Sequence, residues 1–393
     1  MDPIARMVAA GAAGAAGGGD PTYVDDVFST FLYVGNSGTQ SISNGIDLSG
    51  EGGLVWIKNR STSNTYHALF DTERGTERYL YTNGNGAEYY YANNGVTSFN
   101  SNGFTVKGTS DWWGLSGEDI CSWTFRKAPG FFDVQTWAGN GVAGRTISHD
   151  LGSTPGMIIL KKISSGGINR NWWCWHRSIS STPIILNQEA AAGNYSGIFG
   201  SVSSTSFAIG SDENTNASGH TYVAYIFAHD DQSFGTNSDE SIIKCGSYTG
   251  TGSSGNTVNL GFEPQFLLIK QTNTSRNWYL ADNMRGIATG QYTAYLQPNI
   301  NHAETDGAGP TIALHATGFE LTNHSALVNE SSGSYVYMAI RRPHKPPTAG
   351  TEVFKPVTRT GTESAGFITG VGFAPDFLWN KERTSQSLSL IHI

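Results

Sequence analysis

The stretch Gly261-Phe262-Glu263-Pro264-Gln265-Phe266-Leu267-Leu268-Ile269-Lys270 decides the fold, because versions of it return along the chain. Gly152 to Lys161 and Gly372 to Lys381 have the same form: a glycine, a proline three residues later, a short apolar run and a lysine. A less regular copy, Gly52 to Lys58, comes first. The lysines are nearly evenly spaced, at close to one domain length of about 100 residues. The sequence therefore predicts three tandem domains and the start of a fourth.

A second recurring segment closes each repeat. It begins with a glycine and continues as an aromatic-rich alternating strand in Gly117 to Arg126, Gly219 to Phe227 and Gly333 to Arg341. The repeat is too long for a solenoid, whose units run about 20–50 residues. The predicted organisation is a flexible Ala/Gly-rich leader at 1–20, domains at 21–129, 130–230 and 231–346, and a truncated start of a fourth domain at 347–393. The alternative for the leader is an attachment arm that orders on a partner assembly.

The fourth domain is expected to be incomplete. About 40 residues cannot bury the core that its siblings build with roughly 100. The last residues, Leu388 to Ile393, also match the translation of a sequencing adapter. We therefore expect the true C terminus to lie elsewhere.

The composition predicts an all-β protein. Of 393 residues only 14% are charged, while 12% are aromatic and 49 are glycine. Aromatic and β-branched residues favour strands, and glycine with asparagine favours the tight turns between them. We predict tandem antiparallel β-sandwich domains, jelly-roll or lectin-like. The first strand is predicted to run from Asp25 to Tyr33.

Charge and cysteine content exclude several functions. The net charge is −8 and lysine and arginine form no cluster, which argues against a nucleic-acid partner. No stretch has the roughly 20 apolar residues of a transmembrane helix, so membrane insertion is not expected. Cys121, Cys174 and Cys245 are predicted to be buried, reduced thiols. Scattered histidines and the lack of a nucleotide-binding fingerprint predict neither a metal nor a cofactor.

Two carboxylates in the first repeat raise the question of catalysis. Asp71 and Glu73 share a strand face, and glycosidases use two carboxyl groups about 5–10 Å apart. The third repeat keeps Asp282 and Arg285 where the first has Asp71 and Arg74, but it does not keep Glu73. The recurring pair favours a structural ion pair that braces a turn. We expect a non-enzymatic protein, with a depolymerase as the alternative.

Two tryptophan runs are the candidates for ligand contact. They are Trp112-Trp113 and Trp172-Trp173-Cys174-Trp175. Strand alternation places Trp173 and Trp175 on the face opposite Trp172 and Cys174. The sequence leaves two interpretations: all of these rings are core, or one pair is core and the other is partly exposed and stacks on sugar rings. The candidate glycan-binding residues are Trp112, Trp113, Trp172 and Trp173.

Several motifs resemble a repeat family of bacteriophage virion proteins that is common in aquatic tailed phages. They are Asp26-Val27-Phe28-Ser29-Thr30, Gly53-Leu54-Val55-Trp56-Ile57-Lys58, Leu69-Phe70-Asp71-Thr72-Glu73-Arg74-Gly75, Asn102-Gly103-Phe104 and Trp123-Thr124-Phe125-Arg126-Lys127. Similar segments in the later repeats extend the resemblance over nearly the whole chain. The resemblance implies a tail-fibre-like or other virion-surface structural protein, and it carries over no catalytic residues.

The expected function is host attachment from the virion surface. Tail-fibre-like β-sandwich modules would each present a weak site for a host-surface glycan. Several repeats in one chain and homo-oligomerisation, a trimer being one option, would raise the number of sites and thereby the overall binding strength. Other virion proteins are the expected partners, and the expected location is the virion, after assembly in the host cytoplasm. Alternatives are a tail depolymerase that acts on glycan, and a structural spacer or capsid decoration protein without a ligand.

Overall fold

Antiparallel strands dominate the structure. The computed structural model describes residues 21–108, 112–168, 170–287, 292–305, 309–360, 371, 378–381 and 389–392. Every strand pairing in these ranges is antiparallel. The chain forms one compact unit that ends at His344 and a second from residue 345 onward. The all-β fold class is confirmed, and the leader predicted at 1–20 lies outside the described residues.

The strands of the first unit fall into three groups that follow the sequence repeats. In the first repeat they are β1 (Phe28–Val34), β2 (Thr39–Ser43), β3 (Gly53–Asn59), β4 (Ala68–Asp71), β5 (Arg78–Tyr81), β6 (Tyr89–Tyr90), β7 (Gly95–Asn100), β8 (Gly103–Lys107) and β9 (Asp119–Arg126). In the second repeat they are β10 (Phe132–Ala138), β11 (Arg145–Ser148), β12 (Met157–Lys162), β13 (Trp173–His176), β14 (Ile184–Ile185), β15 (Phe199–Val202), β16 (Ser206–Ile209) and β17 (Thr221–Phe227). In the third repeat they are β18 (Ile243–Thr249), β19 (Asn256–Asn259), β20 (Pro264–Gln271), β21 (Tyr279–Asp282), β22 (Ile312–His315), β23 (Gly318–Leu321) and β24 (Ser334–Arg341).

Each repeat builds the same pair of sheets. The larger sheets have the orders β1-β9-β3-β4-β5-β6, β10-β17-β12-β13-β14 and β18-β24-β20-β21. The smaller sheets have the orders β2-β8-β7, β11-β16-β15 and β19-β23-β22. In every larger sheet the aromatic closing strand (β9, β17 or β24) lies between the first strand of the repeat (β1, β10 or β18) and the lysine-containing strand β3, β12 or β20, here called the signature strand. Each repeat is therefore a sandwich of two antiparallel sheets.

The segment before β1 differs from the prediction. The sequence predicts a strand from Asp25, whereas the structure has a one-turn helix, α1 (Val24–Val27), followed by β1. The Asp26 carboxylate accepts a hydrogen bond from the Tyr23 N–H at 2.8 Å, and the Asp26 N–H donates to the Tyr23 carbonyl at 3.1 Å. This local bonding between a short side chain and the backbone favours a turn over a strand.

The signature strands are buried on both faces. In β20, Leu267 and Ile269 face the core of the third sandwich, while Phe266 and Leu268 belong to a second cluster on the opposite face. A strand buried on one face alternates apolar and polar residues, whereas a strand buried on both faces is a continuous apolar run. The double burial therefore explains the unbroken apolar run in the sequence.

A single apolar cluster joins the three repeats. Its members from the larger sheets include Phe28, Trp56, Trp123 and Phe125 in the first repeat, Ile159, Tyr225 and Phe227 in the second, and Phe266, Leu268 and Met338 in the third. The ring of Phe28 lies 5.6 Å from that of Phe266, and the ring of Phe125 lies 5.5 Å from that of Phe227. The second face of each larger sheet is thus covered by the other two repeats.

The lysine that ends each signature strand is also buried, and it donates to backbone carbonyl groups. Lys161 Nζ donates to the carbonyl of Asn85 in the first repeat at 3.0 Å, and Lys270 Nζ donates to that of Glu189 in the second at 2.8 Å. Lys58 donates to carbonyls of its own repeat. Burial lowers the pKa of Lys58 and of Lys161 to about 7, and that of Lys270 to about 8.

The second compact unit contains little regular structure in its described part. A short 3₁₀ turn spans Gly350–Glu352, and β25 (Leu378–Lys381) pairs with β26 (Ser389–His392). In the region predicted as the start of a fourth domain, residues 361–370, 372–377, 382–388 and 393 lie outside the described residues. Across the described ranges, none of the helices has the length and apolar character needed to span a bilayer.

We expect the free energy of unfolding to rise from about pH 7 to about pH 8, below the pH range in which the cysteine and tyrosine side chains of the unfolded chain lose their protons. Lysines of the unfolded chain keep their proton up to the ordinary pKa of 10.5, whereas Lys58, Lys161 and Lys270 release theirs earlier in the fold. The unfolded state therefore binds more protons in this window, and raising the pH favours the folded state. Urea titrations across the window measure the slope. Lys161→Met removes one of the three contributing lysines and should lower the slope, the half-buried Lys107→Met should not, and a wild-type slope of zero would contradict the expectation.

We also expect the three repeats to unfold together. Phe266→Ala removes a ring that packs against the first repeat, and a buried aromatic truncation costs about 3–5 kcal/mol. In urea the tryptophan fluorescence, to which all three repeats contribute, should shift to a lower midpoint in one transition with an unchanged m-value. Two separate transitions in wild type or variant would contradict a shared core.

Candidate functional site

The structure places three of the four candidate tryptophans in the interior. Trp113, Trp172 and Trp173 are buried, and Trp112 is half-buried. Strand alternation predicts one exposed face for the run around Trp173, but β13 lies between the shared cluster and its own sandwich, so both faces are covered. Trp113, Trp172 and Trp173 therefore do not present a ring face to a surface ligand.

Each buried indole has a hydrogen-bond acceptor for its N–H group. Trp172 Nε1 donates to the Tyr81 carbonyl of the first repeat at 2.9 Å. Trp173 Nε1 donates to Asn214 Oδ1 at 3.1 Å, and Trp113 Nε1 donates to Asn94 Oδ1 at 2.9 Å. Buried indole N–H groups usually have such a partner, because an unpaired buried donor is costly. Trp278 Nε1 repeats the Trp172 bond one repeat further on, donating to the Ile185 carbonyl at 2.9 Å.

The carboxylate Asp71 is fully buried at the junction of the first and second repeats. Arg74 Nε donates to it at 2.5 Å, and the Tyr225 hydroxyl of the second repeat donates at 2.8 Å. Burial raises the pKa of Tyr225 well above its ordinary value, so the hydroxyl keeps its proton. Glu73 is partly exposed and pairs with Lys127 at 3.1 Å. Asp71 therefore does not reach the protein surface.

The third repeat repeats this ion pair. Arg285 Nε donates to Asp282 Oδ2 at 2.7 Å, and Trp123 Nε1 of the first repeat donates to the same oxygen at 2.9 Å. The predicted interpretation of Asp71 and Asp282 as ion-paired turn braces is confirmed. In the second repeat His176 takes this position, and its Nε2 lies 3.1 Å from the Tyr337 carbonyl of the third repeat.

A row of exposed tyrosines ends the larger sheet of the first repeat. Tyr89, Tyr90 and Tyr91, here called the tyrosine edge, are 45%, 58% and 60% exposed. Tyr89 stacks on Tyr79 with ring centroids 5.4 Å apart, and the guanidinium of Arg78 lies 5.1 Å from the Tyr90 ring centre. These contacts hold two aromatic rings in fixed positions at the protein surface.

Half-buried aromatic rings continue from the tyrosine edge. Trp112 packs against Tyr66 at 5.4 Å between ring centroids and meets Tyr81 edge-on at 5.0 Å. Tyr81 in turn lies 5.2 Å from Tyr89. Trp112 is the one candidate tryptophan that is half-buried rather than buried.

A cleft of about 390 Å³ lies beside the tyrosine edge, between the first and second repeats. We call it the 1/2 cleft; its lining is Glu73, Arg74, Arg78, Glu88, Thr136, Trp137, Ala138, Ile163 and Thr221. Glu88 lies between two arginines, with Arg78 Nη1 at 2.8 Å and Arg74 Nη1 at 3.2 Å. The cleft combines paired charges, hydroxyl groups and an apolar floor, within the size range of small-ligand sites.

A second cleft of about 390 Å³ lies at the connection between the second and third repeats. Its lining includes Asp230, Asp239 and Glu240 together with Lys244 and Arg341. The aromatic residue of this cleft, Phe262, is buried, so the cleft offers no exposed ring for stacking.

Comparison with known proteins identifies the family. A family model described as Domain of unknown function (DUF7483) matches residues 24–343. The chain belongs to this family. A search of curated proteins found no match. The DUF7483 match runs through all three repeats and ends at residue 343, next to the last residue of the first compact unit, His344. The three sandwiches that share the central cluster are therefore matched as one domain.

The interior of this DUF7483 domain contains three unbonded thiols. Cys121, Cys174 and Cys245 are buried and free, as predicted, and burial raises the pKa of each thiol. Within the described ranges, histidine, cysteine and acidic side chains form no group of three that could hold a metal ion.

Sequence reasoning missed both the tyrosine edge and the 1/2 cleft. The three consecutive tyrosines break the alternation of a half-buried strand, which is a usable sign of an exposed edge. The cleft has no such sign, because its two walls come from residues about 50 to 150 positions apart in different repeats.

We expect Trp172→Ala to lower the free energy of unfolding by about 3–5 kcal/mol, because it leaves a cavity in the shared cluster and removes the hydrogen bond to the Tyr81 carbonyl. Urea midpoints measure the loss. The half-buried Trp112→Ala is the matched control and should cost clearly less. Equal midpoints for Trp172→Ala and wild type would contradict the assigned role in the core.

Proposed function

We propose that the chain is a tail-fibre-like structural protein of a bacteriophage virion, which presents β-sandwich modules for attachment to a host-surface glycan. The tyrosine edge is the observation that carries the proposal. Exposed aromatic faces bind the apolar faces of sugar rings, and here Tyr90 and Tyr91 are more than half exposed. The sequence resemblance to virion repeat proteins supports the location.

The positions of the tyrosine rings support recognition by stacking. Arg78 covers one side of Tyr90, and Tyr79 fixes the plane of Tyr89. Rigid aromatic side chains lose little conformational entropy when they bind, which favours their use as contact residues. Trp112 continues this surface through Tyr81 and remains part of the proposed glycan contact.

The burial of Asp71 supports a non-enzymatic role. A glycosidase needs two carboxyl groups that both reach the scissile bond. Asp71 is enclosed by Arg74 and Tyr225, and Glu73 is paired with Lys127. Weak single sites would gain strength through several copies, so homo-oligomerisation and attachment to other virion proteins belong to the proposal.

The test is binding of the full chain to an array of bacterial surface glycans. We expect selective binding that falls about tenfold or more in a Tyr90→Ala, Tyr91→Ala variant, because aromatic contact residues often contribute about 2 kcal/mol. Tyr292→Ala, which removes a 52% exposed tyrosine from the third repeat, is the matched control and should bind like wild type.

Three outcomes would contradict the proposal. If the protein bound none of the glycans on the array, this result would favour a structural spacer whose partner is another virion protein. Equal binding by the double variant and wild type would show that the tyrosine edge does not contact the glycan. Time-dependent release of reducing sugar from a bound glycan would indicate a depolymerase instead.

A further inference from the structure

The three repeats meet at three equivalent junctions. At each one a backbone N–H donates to the carbonyl two residues after the signature lysine of the next repeat. Glu88 donates to Ile163 at 2.9 Å, Ala192 to Thr272 at 2.8 Å, and Glu304 to Arg60 at 2.9 Å. Glu88 and Glu304, and likewise Ile163 and Arg60, therefore occupy the same place in two different junctions.

The junction between the third and first repeats is bridged by an arginine. Arg60 Nη2 and Nε donate to the two carboxylate oxygens of Glu304 at 2.7 and 3.1 Å. Arg285 Nη1 donates to the same carboxylate at 2.9 Å. The Arg60 side chain thus extends from the first repeat across the junction onto the glutamate.

At the junction of the first and second repeats, Ile163 lies at the position equivalent to Arg60 and lines the 1/2 cleft. An isoleucine is short and apolar, so it lines the floor of the cleft without reaching Glu88. Glu88 takes its second arginine, Arg78, from its own repeat at the rim. The space that Arg60 crosses in one junction is left open in the other.

We propose that the 1/2 cleft seats an uncharged terminal sugar of the glycan that the tyrosine edge binds, an inference that rests on the proposed function. Arg78 connects the two surfaces, since it lines the cleft and covers the Tyr90 ring. Its side chain is 44% exposed, which leaves N–H groups accessible to a ligand.

The charges of the cleft favour a neutral ligand. Arg74 is paired with Asp71, Arg78 with Glu88, and Glu73 with Lys127. The lining has two arginines and two glutamates, so its own formal charges balance. A guanidinium beside a carboxylate offers donors and acceptors side by side, and neighbouring sugar hydroxyls both donate and accept. Thr136 and Thr221 add hydroxyl groups on the opposite wall.

The experiment copies the closed junction into the open one. Ile163→Arg in the full chain should place a guanidinium against Glu88 and fill the cleft, and Ile163→Val keeps the cleft open as the matched control. Thr136→Arg narrows the cleft from an exposed position and serves if the first variant fails to fold. Thermal melting verifies folding, and the same glycan array measures binding.

We expect Ile163→Arg and Thr136→Arg each to reduce array binding about tenfold or more, equivalent to at least about 1.4 kcal/mol. Ile163→Val should bind like wild type, and the bound glycans should end in uncharged sugars. Full binding by the folded arginine variants, or binding restricted to glycans with acidic ends, would overturn the inference and leave the proposed function standing. If the wild-type protein bound none of the glycans, both the inference and the proposed function would be overturned.

Discussion

The burial of the three larger sheets against one another is the constraint on which the rest of the structure depends. Each signature strand is apolar on both faces, so a single sandwich would leave one face of its larger sheet in water. Burying each large apolar side chain stabilises the fold by about 1.5–3 kcal/mol. The repeats therefore complete one another's cores. This mutual dependence agrees with a family match that treats the three repeats as one domain.

Polar groups fix how the repeats meet. Asp71 accepts from Tyr225 of the second repeat, His176 contacts a carbonyl of the third, and Asp282 accepts from Trp123 of the first. The contacts run in the same direction around the three repeats and return to the first. A buried polar group without a partner costs about 1–3 kcal/mol, so these bonds disfavour other packings of the same apolar faces.

Different residues at equivalent positions give the three junctions different surfaces. Arg60, Ile163 and Thr272 follow the signature lysines at the same interval, yet one forms an ion pair, one lines a cleft and one is a small polar residue. The shared core restricts the buried positions of each repeat, whereas the junction rims tolerate change because they carry little of the packing energy. A repeated fold can thereby hold a single specialised site.

The sequence by itself determined the strand content, the repeat and the ion-paired turns at Asp71 and Asp282, because these depend on local periodicity and on residues that recur at fixed intervals. It did not determine the burial of Trp172 and Trp173. Alternation along one strand shows which side chains share a face, but not what covers that face. Only the tertiary structure placed the other repeats there. It also brought Arg78 and Glu88 opposite Thr136 and Ile163, a juxtaposition between distant segments that no local pattern encodes.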